Sequence, residues 1–436
     1  MSNIQENFSR CNTQYAGLAL GVAWLKRSKF FRFLNHIPLN LKTVKRTPRS
    51  KLEDLLVCLM AGVESLGQID VRMRRDRGLT LAVGRQSLAD QSLMSQTLDA
   101  FEARSLEHLR TNIVALLGER SRAIARIARC RMTILDLDMT ELPCSARCEG
   151  ARKGRTTGKR GQTLRQLSLV YNYRYREPLD VFLHPGNMHC AGPLQEIVSY
   201  LEQSYAWDRS IREQICWRLE SGYGSDRKLS WLMRRGYRVV AKGYQRRRAV
   251  QWARSLDETV WKRVNETQDL YERERIATLR SPHRCFLVRT RRHAGPGYYY
   301  SYLVSNLKRR VRGHGHVAFY NQRQGIEKEI QQIKSVLGLK HKRKRSFNGM
   351  QSLALMTLMA NLQLVWFRHS LGLDHLGLKR FIRDVIKTPG ICLSTRHGLR
   401  LSFQQENPHC QQLKEWNSKT TLPLFPSQFR GILYKN

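Results

Sequence analysis

Tyr320, Arg323, Glu327 and Lys334 are the residues whose types and spacing invite chemistry. The run from Phe319 to Lys334 predicts a helix, and at about 100° per residue these four share an arc of about 60°. Ile326, Ile330, Ile333 and Leu337 fall on an adjoining apolar arc. Such a helix can bury its isoleucines and line up an aromatic ring, a guanidinium, a carboxylate and an ammonium beside the core. Taken alone, the pattern is more often an amphipathic helix with a solvated charged face. Lys and Arg total 76 against 35 acids, a formal net charge of +41, which is more than solubility requires. The simplest partner for that charge is a polyanion, DNA or RNA ahead of an anionic membrane. Binding of that kind weakens steeply with salt.

The elements that must position these residues follow the chain. A length of 436 residues allows two or three domains with sizeable cores. Residues 1–125 read as a helical N-terminal domain; Leu52 to Gly62, Gln91 to Phe101 and Leu106 to Leu117 carry helical periodicity. The domain suits either a helix-turn-helix-like DNA-end reader or a bundle that only packs on the rest. At Arg131 the texture changes. Met132 to Thr140 alternates like a strand, and Asp136 and Asp138, two apart, point to one face. Two more strands (Gln166 to Tyr173, Leu179 to Leu183), a helix (Gly192 to Gln203), a strand (Ile215 to Glu220), a helix (Asp226 to Arg234) and a strand (Tyr237 to Lys242) follow. This alternation predicts an α/β fold with helices packed on a sheet. It resembles a ribonuclease-H-like catalytic core, with 126–243 as its first part and 314–371 as its last helices.

Between those parts, 244–313 reads as a mixed, β-rich insertion: a helix from Arg247 to Lys262, then strands at Cys285 to Arg291 and Tyr298 to Asn306. Its aromatics Trp252, Trp261, Tyr298, Tyr299 and Tyr300 suit packing better than base stacking. The basic, Gly-rich stretch Gly150 to Gly161 suits phosphates or a solvated hairpin loop equally. Residues 372–436 read as a basic, poorly patterned C-terminal tail. The apolar stretch Leu353 to Phe367 is interrupted by Thr357, Asn361 and Gln363 and reads as a core helix, so no membrane partner is expected. Ten scattered cysteines fit no standard zinc spacing and suit reduced thiols in the cytoplasm.

Tyr, two residues, Arg, three residues, Glu, six residues, Lys resembles the Y-R-E-K motif of the DDE transposases of the insertion-sequence-4 superfamily, nearest to the insertion-sequence-1380 branch. That resemblance implies three carboxylates around two divalent ions, which activate a nucleophilic oxygen and stabilise the leaving 3′-oxygen of a phosphodiester. Oxygen ligands favour Mg²⁺, with Mn²⁺ able to substitute. Asp138, in Asp-Met-Thr, matches the first acid, with Asp136 as a neighbouring alternative. Arg218-Leu219-Glu220-Ser221-Gly222-Tyr223 resembles the family's Arg-x-Asp-Ser-Gly-Phe, with Glu220 in place of the usual Asp. Asp226 is the other candidate for this second acid. Glu327 matches the third.

By the same resemblance, Tyr320, Arg323 and Lys334 contact terminal phosphates. The basic run Lys340, Lys342, Arg343, Lys344 and Arg345 is a candidate phosphate track beside them. The function implied is a DNA transposase that cleaves at element ends and joins the freed 3′-hydroxyls to target DNA. Its partners would be double-stranded DNA, as terminal inverted repeats and as target, and a second copy of the chain in a synaptic homodimer. The alternatives are a transposase-derived DNA-binding protein without catalysis and a ribonuclease-H-like metal nuclease that does not join strands.

Overall fold

The alternating run becomes strand β1 (Thr133–Pro143), and a 10-stranded mixed sheet is built around it in the computed structural model, which describes residues 10–41, 46–154, 161–273, 275–293, 295–307, 311–395 and 398–418. β1 pairs antiparallel with β2 (Thr163–Asn172), and β2 with β3 (Glu177–Pro185); the short strand Arg152–Lys153 also pairs with β2. On its other side β1 runs parallel to β4 (Ile215–Leu219), and β4 parallel to β5 (Arg238–Lys242). Parallel neighbours require crossover connections. Helix α1 (Leu194–Ser204) lies in the chain between β3 and β4, and α2 (Asp226–Arg234) between β4 and β5. Three antiparallel strands followed by parallel strands joined through helices is the order of a ribonuclease-H-like core, the fold class expected from the sequence. β4, Ile-Cys-Trp-Arg-Leu, is buried along its whole length, as a strand covered on both faces must be. Its arginine is therefore a charge that needs a partner inside the protein.

After β5 the chain forms α3 (Arg246–Arg254) and four antiparallel strands, β6 (Lys262–Asn265), β7 (Gln268–Arg273), β8 (Arg284–Arg291) and β9 (Tyr298–Ser305). β9 returns to pair antiparallel with β5, so this segment extends the sheet of the core. The helix predicted from Arg247 to Lys262 stops at Arg254: Ser255 Oγ bonds back to the Trp252 carbonyl, and the chain then takes a short 3₁₀ turn, Glu258–Val260. Such local side-chain bonds compete with helix.

The helix predicted from Phe319 to Lys334 is broken. α4 (Gly313–Asn321) is followed by a turn at Gln322 and Arg323, α5 (Gln324–Gln331) and a π-helical turn Gln332–Val336. Asn321 donates to Gln268 on β7, and Gly325 sits so close to Tyr173 that a Cβ there would lie 2.3 Å from the ring. These contacts override a periodicity that would have run straight through.

The chain divides into two compact units, one made of Val114–Ala146 with Gly150–Ile330, the other of Met1–Ile113, Arg147–Glu149 and Gln331–Asn436. The large sheet belongs to the first. The second is helical, with a small sheet of Arg10–Thr13, Gly390–Thr395 and Gly398–Phe403. Its central helix, Phe347–Ser370, is long and apolar enough to span a membrane, yet 94% of its apolar window is buried in the protein. It starts on a Ser346 side-chain cap. Within the expected tail, 372–418 hold Leu378–Phe381, a π-helical turn, the hairpin and a last helix, Cys410–Ser418. Leu378, Phe381, Ile382, Val385 and Ile386 are buried. That is an i, i+3, i+4, i+7, i+8 stripe.

Candidate active site

β1 delivers two aspartates to one face, and the structure gives them different work. Asp136 is fully buried, and its two oxygens accept from Arg218 Nε at 2.6 Å and Nη2 at 2.7 Å. The two residues stand opposite each other in the parallel β1–β4 register. Arg218 Nη1 donates to the Phe319 carbonyl at 2.7 Å, and its guanidinium lies 5.5 Å from the Tyr173 ring and 5.3 Å from the Phe319 ring. Burial pushes the Asp136 carboxyl up against the pull of Arg218. With both oxygens taken by this arginine, Asp136 is a structural counter-ion. Its role as a neighbouring ligand candidate is not supported by this geometry.

Asp138 keeps a small opening to solvent. Its Oδ1 accepts from the Met139 amide at 2.9 Å, and its Oδ2 lies 2.8 Å from Arg323 Nη2. Burial, opposed by Arg323 and reinforced by the charge of Glu220, raises its pKa to about 6. Glu220 follows the last residue of β4 and is half-buried. Its negative charge is felt at Asp138, Tyr320 and Arg323. The turn after it is tight at Gly222: a Cβ there would lie 3.0 Å from Glu220 Oε1 and 2.2 Å from Cys190 Sγ, so a side chain would have to displace one or both.

Asp226, the other candidate for the second acid, is engaged elsewhere. As the first residue of α2 it accepts from Arg248 at 3.1 and 3.0 Å and from the Thr278 hydroxyl. The carboxylate beside Asp138 is Glu220.

Glu327, on the first turn of α5, has its side chain 61% exposed and its Oε1 3.1 Å from Arg323 Nη1. Arg323 thus stands between Asp138 and Glu327 and joins them. The Tyr320 hydroxyl belongs to the same cluster; burial, against the pull of Arg323, raises its pKa to about 12, so it is neutral. Lys334 falls in the π-helical turn Gln332–Val336, in the other compact unit, and is half-buried.

The basic run splits by alternation. Lys342 Nζ is buried and donates to the Val63 and Leu337 carbonyls; Lys344 Nζ is buried on Ser95 and Asp99. Arg343 and Arg345 are exposed and Lys340 is half-buried. An extended segment turns successive side chains to opposite sides, so Lys342 and Lys344 hold the fold where the sequence suggested phosphate contacts. Of the stretch Gly150 to Gly161, residues 155–160 lie outside the described residues.

The sequence reading gave no role to Arg218, Tyr173, Gly325 or Cys190. For Arg218 a signal exists: a lone charge in an apolar strand, with an acid at the facing position of the neighbouring one. For the other three, only the folded chain brings them to the site.

Among the described residues no three His, Cys, Asp or Glu side chains stand close enough to hold one metal ion. The donor chemistry nevertheless fits a hard cation. Asp138 and Glu220 offer carboxylate oxygens; burial first, and the charge of Glu220 after it, raises the Asp138 pKa, and a bound cation would offset both.

A family model described as transposase DDE domain group 1 matches residues 32–415. No curated protein matches the chain. Among solved structures, the piggyBac transposase synaptic complex with hairpin DNA is similar at 12% identity and a TM-score of 0.47, covering 98% of this chain and 87% of that one.

Proposed function

We propose, from the premise that this chain belongs to the family of transposase DDE domain group 1, that it cuts DNA at the ends of a mobile element and joins the freed 3′-ends to target DNA. The observation that carries this reading is the meeting of two acids from neighbouring parallel strands with the motif arginine. The charge of Glu220, after β4, is felt at Asp138 on β1, and Arg323 reaches both Asp138 and Glu327. We assign Asp138, Glu220 and Glu327 as the catalytic and metal-holding residues, with Mg²⁺, or Mn²⁺ in its place, as a pair of ions. When bound, such ions activate the attacking oxygen and stabilise the leaving 3′-oxygen. The chain's own part is to hold Asp138 on β1 beside the end of β4 that carries Glu220, and to tie Glu327 on α5 to Asp138 through Arg323. The Arg218–Asp136 pair ties β4, β1 and the carbonyl of Phe319 together. In this reading Tyr320 and Arg323 meet the phosphate at the cut end, and Lys334, Lys340, Arg343 and Arg345, in the other compact unit, are further contacts for the duplex.

The spacing of Tyr320, Arg323, Glu327 and Lys334 supports a place in the insertion-sequence-4 superfamily, near the insertion-sequence-1380 branch. Its partners in this reading are terminal inverted repeats, target duplex and a second copy of the chain, in the cytoplasm with the DNA. One observation favours a second reading, a DNA-binding protein that has lost catalysis: the second acid is Glu220, one methylene longer than the family's usual Asp.

The test is cleavage of a duplex carrying the flanking terminal repeat, in Mg²⁺ and in Mn²⁺. Glu327→Gln and Glu220→Gln are expected to abolish cutting while retaining DNA binding, and Asp226→Asn to cut, because Asp226 is spent on Arg248. A wild-type chain that binds its ends tightly and never cuts would replace this reading with the second one.

A further inference from the structure

Arg323 is a single cation held by two acids, and it has donors to spare. It lies in the two-residue turn between α4 and α5 with its side chain 6% exposed. Nη2 is 2.8 Å from Asp138 Oδ2 and Nη1 is 3.1 Å from Glu327 Oε1. Yet Nε and Nη2, both buried, have no well-aligned hydrogen-bond acceptor. A buried guanidinium carries five N–H donors, and leaving them unmet costs free energy. Its planar fork matches a phosphodiester better than it matches two carboxylates that approach from different elements.

We propose that Arg323 is an internal counter-ion that withholds Asp138 and Glu327 from divalent metal until a DNA phosphate takes the guanidinium. The inference rests on the transposase reading above and adds a regulation to that site. A phosphate seated on the planar fork draws the positive charge and the Nη donors toward itself and away from the two carboxylates. When DNA engages it, Asp138 and Glu327 lose their shared positive charge, while Asp138 still faces Glu220. The acids then bind a cation more strongly. By linkage, DNA tightens metal binding and metal tightens DNA binding by the same factor. The consequence is protective: a strongly basic chain that meets metal away from DNA does not assemble a loaded phosphodiesterase.

The test is Mn²⁺ binding by the full-length chain, read from the loss of the free-ion electron paramagnetic resonance signal, with and without a duplex carrying the flanking repeat, and corrected for Mn²⁺ held by the duplex alone. Without DNA, Arg323→Gln is expected to bind Mn²⁺ on the order of tenfold more tightly than wild type. The duplex should tighten Mn²⁺ binding strongly in wild type and only a few-fold in the variant. Lys242→Gln removes a nearby charge that is felt at Glu220 and that no ion pair ties to Asp138 or Glu327; it is expected to leave the DNA-dependent tightening at its wild-type size. Arg323→Lys keeps the charge on a single nitrogen without the planar fork, holds the two acids less well, and should fall between wild type and Arg323→Gln; it decides the matter if the glutamine variant does not fold. Mn²⁺ affinity in Arg323→Gln, or in Arg323→Lys, no tighter than in wild type overturns the proposal, as does an equal gain in Lys242→Gln. In those cases cleavage in the presence of metal still stands. If no chain takes up Mn²⁺ with or without DNA, the metal-dependent transposase reading falls too.

Discussion

Arg218 illustrates how one side chain can serve a site without touching substrate. It crosses from β4 to Asp136 on β1 with two short bonds and gives a third to the Phe319 carbonyl, near the end of the helix that precedes the Arg323 turn. Both partners are fully buried. Breaking such a pair leaves an uncompensated charge, whereas replacing both members with apolar groups is often close to neutral. Arg218→Met is therefore expected to cost about 3–5 kcal/mol in urea unfolding. The double replacement Arg218→Met with Asp136→Leu should recover most of that loss while cleavage stays impaired, because Phe319 has lost its anchor. A double variant as unstable as the single one would show that the pair is not the source of the cost. This residue was legible in part: an arginine inside Ile-Cys-Trp-Arg-Leu had to find an acid. Which of Asp136 and Asp138 it would take was not legible, because both point to the same face of β1.

At the scale of elements, burial alternates along 342–345, after the turn that ends at His341, although the composition suggested a uniform basic surface. Lys342 is the informative member. Burial lowers its pKa to about 7, with Cys58 and Glu64 opposing. The sign follows from proton counts. Between about 7 and 10 the unfolded chain holds a proton on this lysine that the folded chain has released, so stability rises with pH in that window. The rise should be on the order of 1 kcal/mol per pH unit from this group. Below pH 7 both states are protonated, and the folded state bears the full cost of the buried charge. Lys342→Met should flatten the slope between pH 7 and 9 in denaturant titrations; an unchanged slope would mean that Lys342 is not its origin. The strand order of the core was legible because β1, β2, β4 and β5 carry strong apolar patterns bounded by turns. The break at Gln322 and Arg323 was not, because tertiary contacts from Tyr173 and Gln268 cause it. The apolar stripe from Leu378 to Ile386 was present in the sequence, but it is divided between a four-residue helix and a π-helical turn, too short for periodicity to stand out.

For the whole molecule, the proposed function together with a formal charge of +41 predicts that duplex binding is driven by counter-ion release. Each side chain that truly meets a phosphate should lower the slope of log affinity against log salt by about 0.9 when removed. Arg343→Ala and Arg345→Ala are expected to reduce the slope, and Lys342→Met and Lys344→Met to leave it unchanged while lowering stability. Mobility-shift titrations at several salt concentrations separate the two groups. Equal slopes for all four would show that burial does not sort this run into fold and surface. Composition pointed to a polyanion; it could not say which cations are spent inside, since that depends on which way each side chain of the folded segment faces.

The turn after β4 makes the second acid and a thiol neighbours in a crowded corner. A methyl group on residue 222 would press on the Cys190 sulfur and reach the Glu220 carboxylate, so a side chain there has to move one or both. The place of that carboxylate is thereby tied to the size of the residue two positions on: crowding introduced at 222 would be relayed to Glu220 as a change of position with its charge untouched.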